Sequence, residues 1–467
     1  MLFSSSVFLL LFLPGVLAVY YLPLRRWRSG QNAFLLFASL GFYAWGEPWF
    51  VLVMLLCIVL NYFVGLWAGR DPKGKGPLFA GIFVNLGIIF VFKYLVFTLE
   101  NLNLLFGGGL RIPVINLPIG ISFFTLQALS YILDVRRGRR EAQKNPVNVG
   151  LYIAFFPQLI AGPIVRYETI ADELTGRREN WEDFSAGVGR FIFGLGKKVL
   201  LANPLALVAD EAVRQCASGT LSVSFAWVGA SVYILQLYFD FSGYSDMAIG
   251  LGRMFGFHFL ENFRYPYTAK TLTDFWRRWH ISLGSWFQDY VYFPLGGSRV
   301  PPGRVVFNLL VTWFLTGLWH GASWTFVVWG LFNWTFLMLE KRTPAGNAVR
   351  RHPIFGNFCV VFFFVTGCVI FRAPDLPSAL RFLGTMFGLG GAALTSASTI
   401  FSLRENALCL VLAVLCSTPF FPRLYDRLER RAPALGWTWA LAAGCVFLVS
   451  VAYIVKGTYN PFIYFNF

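Results

Sequence analysis

Residues 305–340 read VVFNLLVTWFLTGLWHGASWTFVVWGLFNWTFLMLE, with a single histidine, His320, near the middle of the run. Only about 15 residues lie on each side of the Trp319-His320-Gly321 break, whereas a full membrane crossing needs about 20. The stretch therefore predicts a hairpin of two short helical arms that turns within the membrane, or arms that tilt inside the protein. Either way His320 is placed near membrane depth. An ionisable side chain there is costly and marks a functional candidate. Gly317, Gly321 and Ala322 would leave space around the imidazole for a ligand or for a close helix. A neutral imidazole in an apolar tunnel can take a proton from an attacking hydroxyl, because its pKa lies near working pH. From position alone, a packing histidine bonded to a neighbouring helix explains the residue equally well.

Working outward, the 467-residue chain has the same character. It is 57% hydrophobic, 18% aromatic and 13% charged, with a mean hydropathy of +0.60. A soluble chain carries about 25% charge. Candidate spans fall at 6–22, 31–46, 49–68, 77–99, 117–134, 187–209, 224–250, 305–319, 322–340, 354–371, 401–420 and 436–455. No polar block is long enough to be a soluble domain, so residues 1–467 are expected to form a single integral membrane domain. The net charge of +16 does not point to nucleic acid. Its basic residues sit in short loops between apolar runs, where cytoplasmic loops collect them. Arg25, Arg26 and Arg28 follow the first apolar run instead of preceding it, which favours an uncleaved span with its N-terminus outside. On that count Arg70–Lys75 and Arg136–Lys144 also fall inside. Residues 147–165 are apolar but contain Pro157, Gly162 and Pro163, with basic residues on both sides. A re-entrant segment fits them better than a crossing, and irregular backbone at depth requires a protein-lined setting. The seven cysteines show no CxxC, and four scattered histidines without carboxylates at ligand spacing give no reason to expect a metal.

Residues 252–304 form a long basic, aromatic stretch expected in the cytoplasm. At about 100° per residue, Trp276, Trp279, His280, Leu283, Phe287 and Tyr290 share one face of a helix, while Arg277, Arg278, Ser285 and Gln288 point away. That pattern predicts a helix at the interface with tryptophan anchors. It also fits a vestibule in which Arg277 and Arg278 attract an anionic donor and His280 faces a channel. A third stretch, Gln236-Leu237-Tyr238-Phe239-Asp240-Phe241-Ser242-Gly243-Tyr244-Ser245-Asp246, is polar where a span should be apolar. Gln236, Asp240, Gly243 and Tyr244 lie on one stripe, so Asp240 could orient a histidine or bind a substrate group. Asp246 is expected in solvent at the cytoplasmic end. The chain has no GxSxG, Walker-type loop or dinucleotide fingerprint.

Several stretches together carry a family signature: MLFSSSVFLLLFLP at the start, LPIGISFFTLQALSYILDVRRG at 117–138, FFPQLIAGPIVR at 155–166, QLYFDFSGYSDMAIGLG at 236–252, ENFRYPY at 261–267, FWRRWHISLGSWFQDYVYFPLGG at 275–297 and GLWHGASWTFVVWG at 317–330. The chain resembles the membrane-bound O-acyltransferase (MBOAT) family, in its bacterial alginate O-acetyltransferase-like branch. The resemblance implies an all-α polytopic fold of about 10–12 transmembrane helices, with re-entrant and interfacial helices around a central funnel. It implies that His320 is catalytic and that His280 is the second functional position, on the cytoplasmic side. Trp276, Arg277, Arg278, Trp319, Asp240, Tyr244 and Asn333 are the candidates for binding the donor or acceptor. Asn333 stands where relatives often carry another histidine, which puts the acceptor more in question than the chemistry. The implied reaction takes an acetyl group from a cytoplasmic thioester, acetyl-CoA above all, across the bacterial inner membrane. The implied acceptor is a periplasmic partner protein with a serine nucleophile, which acetylates a secreted polysaccharide of the alginate or cellulose type. D-alanyl or other acyl transfer to a cell-wall polymer, and transport of an acyl donor without chemistry, are the competing readings.

Overall fold

A computed structural model describes residues 1–431, 437–457 and 459–461, and every regular element among them is a helix. Among the described residues, five helices are long and apolar enough to cross a membrane: Val51–Arg70, Gly76–Phe106, Trp181–Ala217, Pro353–Arg372 and Trp437–Val455. The pair Ala397–Glu405 and Ala407–Cys416, bent by 64°, makes a sixth if it is one broken span. The other expected spans are helices too, but they are shorter, broken or more polar. Val223–Met254 runs for 32 residues and carries buried Gln236 and Asp240, and Ile121–Arg136 carries buried Gln127 and Asp134. A helix wrapped by protein can hold polar side chains that a lipid-facing one cannot.

The chain divides into two compact units, Met1–Phe191 with Tyr244–Leu260, and Ile192–Gly243 with Glu261–Phe467. In the first unit, Asn61 and Asn85 exchange amide hydrogen bonds at 3.1 and 2.8 Å, fixing Val51–Arg70 against the helix that starts at Gly76. A side chain at Gly65 would collide with the Tyr131 ring, so glycine sets the approach to Ile121–Arg136. Asn145 caps Pro146–Ala154, with proline at the start where its missing N–H costs nothing. That helix breaks at Phe155 and resumes as Phe156–Leu159, and residues 148–167 are all buried. The irregular backbone expected in 147–165 is thus enclosed by protein. Near the start of the chain, Arg177 Nε donates to the Tyr20 hydroxyl at 3.0 Å and Arg28 pairs with Glu179 at 3.0 Å. Asp246, expected in solvent, instead pairs with Arg190 at 2.8 Å and is mostly buried. A facing arginine makes that burial tolerable.

In the second unit, the arms around His320 are longer than their apolar cores: Pro302–His320 and Trp324–Arg342, 19 residues each. At 1.5 Å per residue each is about 28 Å long. The helix extends past the apolar run because Pro302 starts one arm and the charged residues Glu340–Arg342 remain helical in the other. Glu340 is put to use there. Its carboxylate accepts from Thr273 N at 3.2 Å and Thr273 Oγ1 at 2.7 Å, and also from Leu272 N, capping the helix Leu272–Trp276. A carboxylate at a helix N-terminus satisfies orphan donors and complements the dipole. The arms cross at Gly317 and Gly330, where an added Cβ would strike the carbonyls of Phe326 and Trp313.

Candidate active site

The segment 272–292 is not the single amphipathic helix that its periodicity predicts. It is helical at Leu272–Trp276, leaves the helix at Arg277–His280, and resumes at Ile281–Phe287. His280 itself takes a left-handed conformation, φ 45° and ψ 53°. Non-glycine residues there carry strain that surrounding contacts must hold, and such strain clusters at functional sites. Those contacts are visible: Ile281 N donates to Asn262 O, and Arg264 N to Arg278 O, both at 3.0 Å. The predicted face does point inward, with Trp279, Leu283, Phe287 and Tyr290 buried. It packs on protein instead of anchoring in lipid: Trp279 lies 4.9 Å from Phe364 and 5.1 Å from Phe263, and Trp276 lies 4.8 Å from Trp313.

The two candidate histidines come close to one shared tryptophan. His280, 3% exposed, meets the Phe241 ring edge-on at 4.6 Å, and its Nδ1 lies 3.2 Å from Asn262 Oδ1. His320 ends the arm Pro302–His320, its ring 5.1 Å from both Trp329 and Phe371. Trp319 lies 5.0 Å from His320 and 6.0 Å from His280. Burial, and after it the charge of nearby His320, drive the pKa of His280 well below the ordinary imidazole range, so the ring is neutral at neutral pH. A neutral imidazole keeps one nitrogen lone pair for a proton or an acyl carbon.

The remaining candidates separate by surroundings. The Trp276 indole N–H is buried and meets no acceptor among the described residues. Trp276, Trp329, Asn333 and Phe364 line a cavity of about 10 Å³. Asn333 turns its amide back to the Trp329 carbonyl at 2.8 Å. Arg277 is exposed, while Arg278 pairs with Asp274 at 2.8 Å. Asp240 is buried on the helix Val223–Met254. It forms a buried ion pair with Lys198 at 2.6 Å, and the oxygen beside His280 Nδ1 belongs to Asn262. Tyr244 sits in the first unit, stacked on Phe3 at 4.5 Å. Of the two uses weighed for the small residues near His320, close packing holds. The space beside Gly317 is taken by Phe326 and Gly330, and that beside Gly321 by the Phe326 ring. The sequence reading assigned no role to Asn262, Phe371 or Lys198. A lysine inside an apolar run was the one available signal, and it applied to Lys198.

Buried aromatic rings surround both histidines of this polytopic membrane protein, His320 at the end of a helix and His280 on a turn. Residues 37–372 match the profile of the MBOAT, membrane-bound O-acyltransferase family, and the chain belongs to that family. It is 40% identical over 494 residues to the Pseudomonas putida protein named "Probable alginate O-acetylase AlgI", with 100% of each chain covered. The Azotobacter vinelandii protein of the same name is 38% identical, again over 100% of each chain. A Helicobacter pylori peptidoglycan O-acetyltransferase is 31% identical over 100% of this chain and 98% of its own. The chain is therefore a multi-pass membrane acyltransferase.

Proposed function

We propose that the chain transfers acetyl groups from acetyl-CoA, entering from the cytoplasm, to a hydroxyl presented from the outer face of a bacterial inner membrane. The acceptor on this reading is a serine of a periplasmic partner protein, which acetylates an exopolysaccharide of the alginate type. The observation that carries it is the pair His280 and His320, 6.0 and 5.0 Å from Trp319, inside the family-matched region. In this mechanism His320 removes the proton from the acceptor oxygen as that oxygen attacks the thioester carbonyl. The tetrahedral intermediate then collapses, the C–S bond breaks, and the departing thiolate takes the proton from His320. Products are the acetyl ester and free thiol, with no net change at the protein. Exposed Arg277 and the basic segment around it would draw in the anionic donor. With the N-terminus outside, that segment faces the cytoplasm, where the donor is made.

The test is turnover by purified protein in lipid, using acetyl-labelled coenzyme A and the periplasmic fraction of the source cell. Label appearing as an ester on a serine protein, and lost with His320→Ala, supports the proposal. Unchanged labelling in His320→Ala would overturn it. A mass-spectrometric comparison of secreted glycan and cell wall, with and without the active chain, separates an alginate-type polymer from peptidoglycan, the substrate in the name of the Helicobacter relative.

A further inference from the structure

We infer that Asn262 is a positioning residue that locks His280 as the tautomer with its proton on Nδ1, leaving the lone pair on Nε2. Asn262 is 1% exposed and lies in the same unit as His280. Its Oδ1 accepts from the backbone N–H of Ser282 at 3.2 Å and from Ser282 Oγ at 2.9 Å, and the same atom faces His280 Nδ1 at 3.2 Å. A backbone N–H can only donate, so the amide atom it meets is oxygen, and the orientation of the Asn262 amide follows from its partners. An oxygen acceptor beside Nδ1 requires a proton there. In a neutral imidazole the other nitrogen, Nε2, is then an acceptor.

The backbone acts in the same sense. Asn262 O receives the N–H of Ile281 and Arg278 O receives that of Arg264, so residues 262–264 and 278–282 brace the left-handed turn at His280 from both ends. One side chain and its flanking backbone thus fix the ring's position, its rotation and its proton. The catalytic meaning rests on the acyl-transfer reading. On that reading Nε2 of His280 receives a hydrogen bond from an N–H, O–H or S–H of donor or acceptor, and it does not donate to the thioester carbonyl.

Histidine labelled with ¹⁵N reads the tautomer directly by solid-state NMR of the full chain in bilayers. The chain has four histidines, and loss of one signal set in His280→Gln assigns the relevant one. Wild type is expected to show a protonated Nδ1 and a bare Nε2 at position 280. Asn262→Leu should convert that signal to the Nε2–H form or a mixture, and Asn262→Asp should keep the proton on Nδ1. Transfer should follow: kcat about 10–100-fold lower in Asn262→Leu with KM changed far less, and largely restored in Asn262→Asp. A wild-type spectrum with the proton on Nε2 overturns the inference without any variant having to fold. So does an unchanged tautomer in Asn262→Leu. A protonated Nδ1 in a protein that transfers no acetyl group would support the positioning and count against the acyl-transfer reading alone.

Discussion

His280 and His320 sit in different backbone settings. His280 sits on a strained left-handed turn, with a polar partner on Nδ1 and backbone hydrogen bonds on each side. His320 ends a regular helix, and three aromatic rings, Trp319, Trp329 and Phe371, stand within 5.1 Å of it. Hydrogen bonds specify which nitrogen carries a proton, whereas ring edges confine an imidazole by shape and exclude water. The difference suits a division of labour. A group that must gain and lose a proton in each cycle benefits from rigid apolar walls, and a group that must recognise a ligand benefits from a fixed donor–acceptor pattern.

The first way to break that comparison is to remove each imidazole separately. His320→Ala should lower transfer by about 10³-fold or more at normal abundance, the range of a lost general base. His280→Gln keeps a polar group of similar reach and should fall less in kcat and more in KM. Equal losses in both parameters for both variants would erase the distinction. Next is the aromatic wall. Trp329→Ala should destabilise the protein by about 3–5 kcal/mol, the usual cost of emptying a large buried ring, read as a lower melting temperature in detergent. Trp329→Phe should retain most of that stability. A Trp329→Ala protein with unchanged melting and turnover would show that the rings do not hold His320.

How much of this was legible beforehand follows the range of each interaction. The all-helical fold, the break at His320 and the enclosed irregular segment 148–167 follow from local apolar runs and from Pro157, Gly162 and Pro163. The turn at His280 did not, because a periodicity of 100° per residue continues across residues 277–280 whether or not the backbone does. Nothing about a histidine or Tyr265 as residue types announces a positive φ. Asn262 was present in the ENFRYPY stretch but meaningless until folding set it against Ser282, 20 residues on. The Asp240 partner was similarly hidden, since Lys198 is 42 positions away by subtraction of the two residue numbers. What sequence pattern missed is the set of contacts made by side chains distant along the chain.

A comparable effect on stability is expected at that pair. With 3% and 2% of their side chains exposed, Lys198 and Asp240 cannot be separated from each other cheaply. Lys198→Met or Asp240→Leu alone should cost about 3–5 kcal/mol by removing one partner of a buried ion pair, and the double variant should recover much of it. Additive losses, read from thermal melts, would mean that the two charges do not depend on each other.

The smallest expected effect concerns the two arginines, and it extends the same contrast to the basic segment. Arg278 already spends its charge on Asp274, four residues away, at 2.8 Å, while Arg277 faces solvent. A charge neutralised by a neighbour contributes little field beyond about a Debye length, roughly 8 Å at physiological salt. Arg277→Gln should therefore raise KM for an anionic donor by roughly 3-fold at low salt, with the effect fading as salt rises. Arg278→Gln should change KM less and melting temperature slightly, because its loss frees Asp274 at a surface position where ion pairs are worth about 0–1 kcal/mol. If Arg278→Gln gave the larger KM effect, the ion pair to Asp274 would have to open when the donor binds, and recognition at this face would resemble the proton-specific hold on His280 more than a diffuse attraction.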